Sequence, residues 1–399
     1  MKPIIRFRQY NKEWRPFKLN TILVPSNEKN TKGLYSKNDV LSVSGEAGIV
    51  NQIAFQGRSF AGASVLNYGV VNTNDIVYTK SPLRNNPYGI IKTNNGPSGI
   101  VSTLYAIYNC CEESCPQFVD TYFTSSSRTN NYLRPLVRKG AKNDMKVSSE
   151  GALQGNVIFP YKDEQIEIAS YFRTLDAKLQ ASAKKVESLK KLKSASLVAM
   201  FPQQGESMPK VRFKGFEGEW STSNLGSIFA ERIESNENGE MLSVTMNNGI
   251  IRSSDNGRFD NSNSDKSKYK VVKIGDIAYN SMRMWQGASG VSQYEGIVSP
   301  AYTVVTPRID VDTDFFGYLF KTDDVIRLFK LNSQGLTSDN WNLKYPAFSR
   351  ICVSYPKSKE EQQSIAAFFR TLDRKIALET ARLEKLKQIK LACLDKMFV

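Results

Sequence analysis

The 399-residue chain contains no histidine. That absence excludes Ser-His-Asp and Cys-His nucleophilic catalysis, His-ligated catalytic metals and the imidazole proton shuttle that works near neutral pH. Cysteine is scarce: there are five, three of them crowded in "CCEESC" (Cys110, Cys111, Cys115), with Cys352 and Cys393 far away. An odd count in a long chain is not a disulfide framework, and the cluster has no Cys-x-x-Cys pair, so reduced thiols and no metal site are expected. No apolar run approaches the roughly 18 residues of a membrane span. The start, "MKPIIRFRQYNKEW", has charges where a signal peptide needs its apolar stretch, so a cytoplasmic protein without a membrane partner is expected. Also missing is a Gly-x-x-x-x-Gly-Lys-Ser/Thr loop, so any ATP hydrolysis would have to come from elsewhere.

What is present is positive charge. Lys and Arg number 54 against 39 Asp and Glu, a net charge of +15. Such a surplus suits a chain that meets polyanions, because Lys and Arg neutralise phosphates and release their counterions. Charge alone does not separate nucleic acid from an acidic protein partner. The length suits two or three domains, each able to bury a core.

Internal repeats say more. "PIIRFRQYNKEW" (Pro3 to Trp14) returns as "PKVRFKGFEGEW" (Pro209 to Trp220), followed by Leu19 and Ile22 against Leu225 and Ile228. "NDIVYTKS" (Asn74 to Ser81) matches "GDIAYNSM" (Gly275 to Met282), and "GIVSTLY" (Gly99 to Tyr105) matches "GIVSPAY" (Gly296 to Tyr302). "SYFRTLDAKL" (Ser170 to Leu179) matches "AFFRTLDRKI" (Ala367 to Ile376). The chain reads as a tandem duplication of a unit of roughly 200 residues.

Each unit has two parts. The first is rich in Gly, Asn, Ser, Thr and Tyr, with short apolar runs such as "DIVYT" (Asp75 to Thr79) and "GIVSPAYTVV" (Gly296 to Val305) that read as strands, and a helix expected over "FFGYLFKTDDVIRLFKLN" (Phe315 to Asn332). The second is a long helix: residues 163–201 and 359–398 contain no Pro or Gly, follow Pro160 and Pro356, and begin acidic. Both helices carry a heptad seam. In the first, Ile168, Leu175, Ser182, Leu189 and Ser196 alternate with Phe172, Leu179, Val186, Lys193 and Met200. In the second, Ile365, Leu372, Glu379, Leu386 and Cys393 alternate with Phe369, Ile376, Leu383, Lys390 and Met397. An apolar stripe over about 39 residues, roughly 58 Å at 1.5 Å per residue, outruns a small domain and calls for a helical partner. The obvious partner is the other copy, paired antiparallel. The globular parts would then be related by an approximate two-fold axis, which matches the symmetry of duplex DNA and two half-sites a fixed distance apart.

The paired "EQ...IA..F.RTLD" segments from Glu164 and Glu361, the lysine-rich helix ends closing on "MF" (Met200-Phe201, Met397-Phe398), the "RF...EW" segments and "GIVSPAY" resemble the specificity subunit, HsdS, of type I restriction-modification enzymes. The resemblance covers essentially the whole chain. It implies an α+β fold, a tandem pseudo-two-fold repeat of two mixed α/β target recognition domains, each followed by a long helix, the two helices pairing as an antiparallel coiled coil. The expected blocks are 1–160 and 204–356 for recognition, with spacer helices at 161–203 and 357–399. It further implies a non-catalytic DNA-recognition subunit. Its partners would be double-stranded DNA, two methyltransferase (HsdM) subunits and, through them, nuclease/translocase (HsdR) subunits. It would hold no cofactor of its own; S-adenosylmethionine, ATP and Mg would be used by the partner subunits.

"NNPYG" (Asn85 to Gly89) looks like the Asn-Pro-Pro-Tyr/Phe signature of adenine methyltransferases, but the second Pro is missing and no glycine-rich cofactor loop precedes it, so an Asn-Pro turn is expected instead. Candidate DNA contacts lie after the matched strands: Lys80, Arg84, Asn85 and Asn86 in "YTKSPLRNN", and Arg283, Trp285 and Gln286 in "YNSMRMWQG", whose donors, acceptors and ring suit base edges and sugars. Arg138, Lys139 and Lys142 in "LVRKGAKNDMK" suit phosphates; the corresponding "SQGLTSDNW" (Ser333 to Trp341) is much less basic. Identity between the diverged copies nominates Phe172, Arg173 and Asp176, with Phe369, Arg370 and Asp373, as a partner-docking set. Two other readings stay open on sequence: a coiled-coil adaptor with no salt-dependent DNA affinity, and a stand-alone nucleic-acid enzyme whose catalytic groups the sequence does not display.

Overall fold

The computed structural model describes residues 1–80, 83, 85–139, 145–246, 248–256, 265–337 and 340–399. Two compact units emerge, residues 1–183 with 381–399, and residues 184–380. Each unit therefore takes a half of both long helices rather than one linear block of sequence.

In the first unit β1 (Leu23–Pro25), β2 (Ile76–Thr79), β3 (Ile91–Thr93) and β4 (Tyr105–Cys110) form an antiparallel sheet in the order β1-β4-β2-β3. Every residue of β2 and β3 is buried, Thr79, Lys92 and Thr93 included, so both faces of these strands are covered and the burial does not alternate. Helix α1 (Pro116–Tyr122) starts with proline at its first position, where the missing N–H is harmless. Arg15–Lys18 pairs with Asn156–Phe159 and closes the globular part just before the long helix α2 (Lys162–Met200).

The second unit repeats the plan. β5 (Phe229–Glu231), β6 (Ile277–Asn280), β7 (Ser289–Val291) and β8 (Tyr302–Pro307) take the order β5-β8-β6-β7, and Ser221–Asn224 pairs with Cys352–Tyr355 before the second long helix. The single helix expected over Phe315 to Asn332 is instead two, α3 (Thr313–Leu319) and α4 (Asp323–Asn332). Thr322 takes an extended backbone conformation, and Asp323 and Asp324 open the first turn of α4. "TDD" is itself a helix-start signal that the apolar spacing around it masks. The long helix α5 (Lys359–Lys396) completes the chain.

Every seam position of both long helices is buried or half-buried. The pairing is antiparallel within each unit: in the first, Tyr171 Oη lies 3.4 Å from Cys393 Sγ and Lys390 Nζ 2.5 Å from Asp176; in the second, Lys185 reaches Glu379 and Lys193 reaches Asp373, both at 2.5 Å. The lysines that interrupt the apolar seam thus meet the Asp of the repeated "RTLD", once in each unit. A charged pair at one seam position contributes little stability but fixes register, because any slip leaves the lysine facing apolar side chains.

The start of each long helix is anchored by the repeated motifs. Arg6 forms a two-point ion pair with Glu164, both contacts 2.7 Å, and Trp14 Nε1 donates to the same carboxylate at 3.3 Å. Arg212 grips Glu361 in the same way at 2.7 and 2.8 Å. The adjacent glutamines, Gln165 and Gln362, donate to Pro160 O and Pro356 O. Their Oε1 atoms accept the Cys115 and Asp312 amides at the start of α1 and α3. "RF...EW" and "EQ" are thus two halves of one buried joint. The helix ends are equally specific. Phe398 lies among Trp14, Phe118, Tyr122 and Phe172 in the first unit, and Phe201 among Trp220, Phe315 and Phe369 in the second. The hydrogen bonds beside them also repeat: Ile5 N to Lys396 O and Trp14 N to Met1 O, against Val211 N to Ala199 O and Trp220 N to Ser207 O.

Candidate nucleic-acid interface

The clearest candidate surface follows β6. The Met282 amide donates to Asn280 Oδ1 and the Arg283 amide to Asn280 O, turning the chain into a single helical turn, Met284–Gln286. Met284 is fully buried and serves as the plug that holds the turn down. Gly287 ends it at φ 80°, a left-handed conformation that other residues adopt only with strain. Three side chains are left facing outward. Arg283 is exposed, with one guanidinium nitrogen 3.3 Å from Gln286 Oε1; Trp285 is half-buried and donates Nε1 to Met282 O at 3.1 Å.

The loop that sequence left as its weaker candidate comes to the same place. The Leu343 amide donates to Ser281 O, and Trp341 stands edge-on to Trp285 with ring centroids 5.2 Å apart. Lys330 Nζ lies 5.5 Å from the Trp341 ring. Arg283, Trp285, Gln286, Trp341 and Lys330 therefore form one patch of cations, amide and rings, the combination that packs on sugars and meets base edges and phosphates. Lys330 was missed because it sits in an apolar helical run, and Trp341 was quoted only in a loop passed over as weakly basic; only the fold joins the two loops.

In the first unit the corresponding segment behaves differently. Asn86 is buried, its Oδ1 accepting from Ser126 Oγ at 3.0 Å while its backbone exchanges hydrogen bonds with Leu83. Its burial and the engagement of Oδ1 argue against Asn86 as a base-reading residue. The "NNPYG" turn is structural, and Gly89 is required there because a Cβ would fall 1.9 Å from Thr79 O. Asn85 is exposed, and its carbonyl accepts from Asn130. Lys80 Nζ lies 3.4 Å from Thr103 O at the edge of a polar recess of about 260 Å³ that Lys29, Ser102 and Glu150 also line. Arg138 and Lys139 pair with Met145 and Lys146 through their backbones. Arg84 and Lys142 lie outside the described residues.

The residues nominated for partner docking divide sharply. Phe172 and Phe369 are buried, packed on Phe398 and Phe201, and present nothing to a partner. Asp176 and Asp373 are held by Lys390 and Lys193, and Asp373 also accepts from Tyr318 Oη at 3.0 Å. Thr174 and Thr371 donate back to the helix at Ser170 O and Ala367 O. The identity of these positions between the copies thus has an internal cause, the packing of the joint. Arg173 and Arg370 remain exposed, Arg370 pairing with Asp314 at 2.9 Å. The position matching Asp314 in the first unit is Gln117, so the two arginines are not equivalently placed for a partner.

Among the described residues no group of His, Cys, Asp and Glu could hold a metal ion, and no helix is long and apolar enough to cross a membrane.

Comparison with known proteins places this architecture. Residues 217–388 match the family model for the type I restriction modification DNA specificity domain. The S subunit of a type I restriction-modification system from M. genitalium superposes over 100% of this chain and 99% of its own, with a TM-score of 0.58 at 15% identity. The HsdS subunit from Thermoanaerobacter tengcongensis aligns over 98% of each chain at 16% identity, with a TM-score of 0.47. No curated relative matches by sequence.

Proposed function

We propose, from the match of residues 217–388 to the type I restriction modification DNA specificity domain, that the chain is a DNA specificity subunit of a type I restriction-modification system and that its two units each read one half of a bipartite, asymmetric DNA site. Recognition is assigned to residues 1–160 and 204–356. The helices at 161–203 and 357–399 set the number of unread base pairs and dock two methyltransferase (HsdM) subunits, to which nuclease/translocase (HsdR) subunits attach. The chain itself is not an enzyme; S-adenosylmethionine, ATP and Mg serve the partner subunits, and the complex acts on DNA in the cytoplasm.

The observation that carries this reading is the contrast between framework and loops. The ion-paired joints, aromatic closures and sheet order recur in both units, whereas the sequences after β2 and β6 differ, with Asn86 buried in the first unit and Arg283 exposed in the second. Two recognition elements held alike and ending differently suit two different half-sites. Net charge of +15 supplies the phosphate attraction common to both.

The test is to sequence methylated adenines in plasmid DNA from cells expressing this chain with its cognate methyltransferase subunit, and from cells lacking the chain. One split motif, present only with the chain, is expected. Methylation without it, or at no fixed motif despite a confirmed complex, would sink the reading. A finer outcome concerns the second unit: R283A, W285A and Q286A should each weaken or relax one half-site by about 1–3 kcal/mol in competition binding, leaving the other half unchanged.

A further inference from the structure

Lys321 lies, half-buried, in the break between α3 and α4. Its Nζ donates to three main-chain carbonyls: Gly287 O, Ser289 O at 2.9 Å and Met246 O at 3.4 Å. Gly287 is the left-handed residue that ends the candidate reading loop, Ser289 opens β7, and Met246 follows the strand Leu242–Thr245 of a neighbouring hairpin. One ammonium thus ties the foot of the loop to two other elements.

No carboxylate bonds this ammonium among the described residues. Of the charged side chains on the elements it joins, Arg283 of the loop bonds Gln286, Arg252 of the hairpin pairs with Glu240, and Asp324 of α4 accepts the Gln204 amide. Lys193 of α2, occupied by Asp373, adds only repulsion. Burial, reinforced by that repulsion, pushes the Lys321 pKa down from 10.5 to about 8.

The first unit solves the same problem in another way. Thr124 stands where Lys321 does, following Phe123 as Lys321 follows Phe320, and the cation comes from the facing strand instead: Lys92 Nζ donates to Thr124 Oγ1 at 3.2 Å, with Asp120 3.6 Å away. Position 92 is matched by Gly290 in β7, judged by the pairing of Val77 with Lys92 and of Ala278 with Gly290. There the buried cation has a counter-ion. In the second unit it has only carbonyls.

We propose that Lys321 is a positioning residue for DNA recognition, a half-buried three-carbonyl clamp that holds the Arg283–Gln286 loop at the angle required to read the second half-site. The proposal rests on the reading that this loop meets DNA. The clamp works as an ammonium with three donors; the neutral amine keeps two and makes weaker bonds. Raising the pH through about 8 therefore loosens the loop. The linkage has the opposite sign for folding: a lysine whose folded pKa lies below its unfolded value binds fewer protons when folded, so its contribution to stability improves from about pH 8 to 10.5. Loss of recognition in that window is not unfolding driven by this group.

The test uses the chain in complex with its methyltransferase subunits and measures discrimination against single-base changes in each half-site at pH 7 and pH 9. In the wild type, discrimination at the second half-site should fall about tenfold between these values while that at the first changes little. K321M should show the reduced discrimination already at pH 7 and no further fall at pH 9. R283A separates the two ideas: if it leaves second-half-site discrimination intact, the loop does not read DNA and the functional reading of this loop fails. If R283A impairs discrimination while K321M matches the wild type at both pH values, the clamp is overturned. The wild-type profile stands even if K321M does not fold, because equal discrimination at pH 7 and 9 overturns the proposal without any variant.

Discussion

Replacing Phe398 by alanine, one residue from the end of the chain, is expected to destabilise the first unit by about 3–5 kcal/mol, the range for removing a large buried aromatic and leaving a cavity. The side chain is 5% exposed and has ring contacts with Trp14, Phe118, Tyr122 and Phe172 at centroid distances of 5.7–6.3 Å. The Arg128 guanidinium covers it at 4.5 Å and donates to Leu394 O at 2.7 Å, so the helix end and the globular part lose their cation–π contact together. Hydrogen exchange is the measurement. Amides of β2 and β4 should exchange faster in F398A, and those of β6 and β8 in the second unit should not. F201A is the matched variant with the two units exchanged. Uniform acceleration across both units, or none in either, would contradict the closure of each core by the end of a long helix.

The second large effect belongs to the ion pair between Arg212 and Glu361. The carboxylate is 2% and the guanidinium 16% exposed, and two parallel contacts join them. The pair gains little over an apolar substitute, because desolvating both charges offsets their attraction. Breaking it is another matter. E361Q keeps one side-chain oxygen as an acceptor but removes the counter-charge and one of the two contacts, leaving a guanidinium without a carboxylate at the base of α5, and is expected to cost about 3 kcal/mol or more. For a unit of this size that is a fall in melting temperature of roughly 6–12 °C. The double variant R212M/E361L should recover most of the loss, since no unpaired charge remains. Calorimetry of the three proteins decides the matter; a double variant as unstable as E361Q would mean the charges themselves, and not their balance, hold the joint.

These two residues illustrate what could be read in advance. The seam of the long helices was legible because its seven-residue period repeats twice, and every seam position is buried or half-buried. The duplication was legible because Arg, Trp, Glu, Gln and Phe recur in one order. What that identity was for was not legible. "FRTLD" looked like a docking surface kept for a partner, yet its Phe is buried and its Asp binds a seam lysine of the other helix. A conserved charge on an amphipathic helix has the same sequence signature whether it faces another protein or its own copy.

Candidate contacts divided for a similar reason. The loop after β6 holds Arg283 and Gln286 outward, while the loop after β2 turns Asn86 inward, because Ser126 and the Leu83 backbone lie within reach of its polar atoms. A side chain's direction depends on which distant residue is there to receive it.

By itself the sequence determined the repeated plan, the two long helices, their seam and the absence of histidine-based chemistry, since all of these depend on spacing and composition within short stretches. Tertiary structure alone decided that the tail of each helix closes an aromatic core, that two separate loops make one patch of Trp285 and Trp341, and that the half-buried Lys321 donates to the carbonyls at its foot. Those arrangements join residues tens to hundreds of positions apart, and no local period records which of many compatible partners packing will choose.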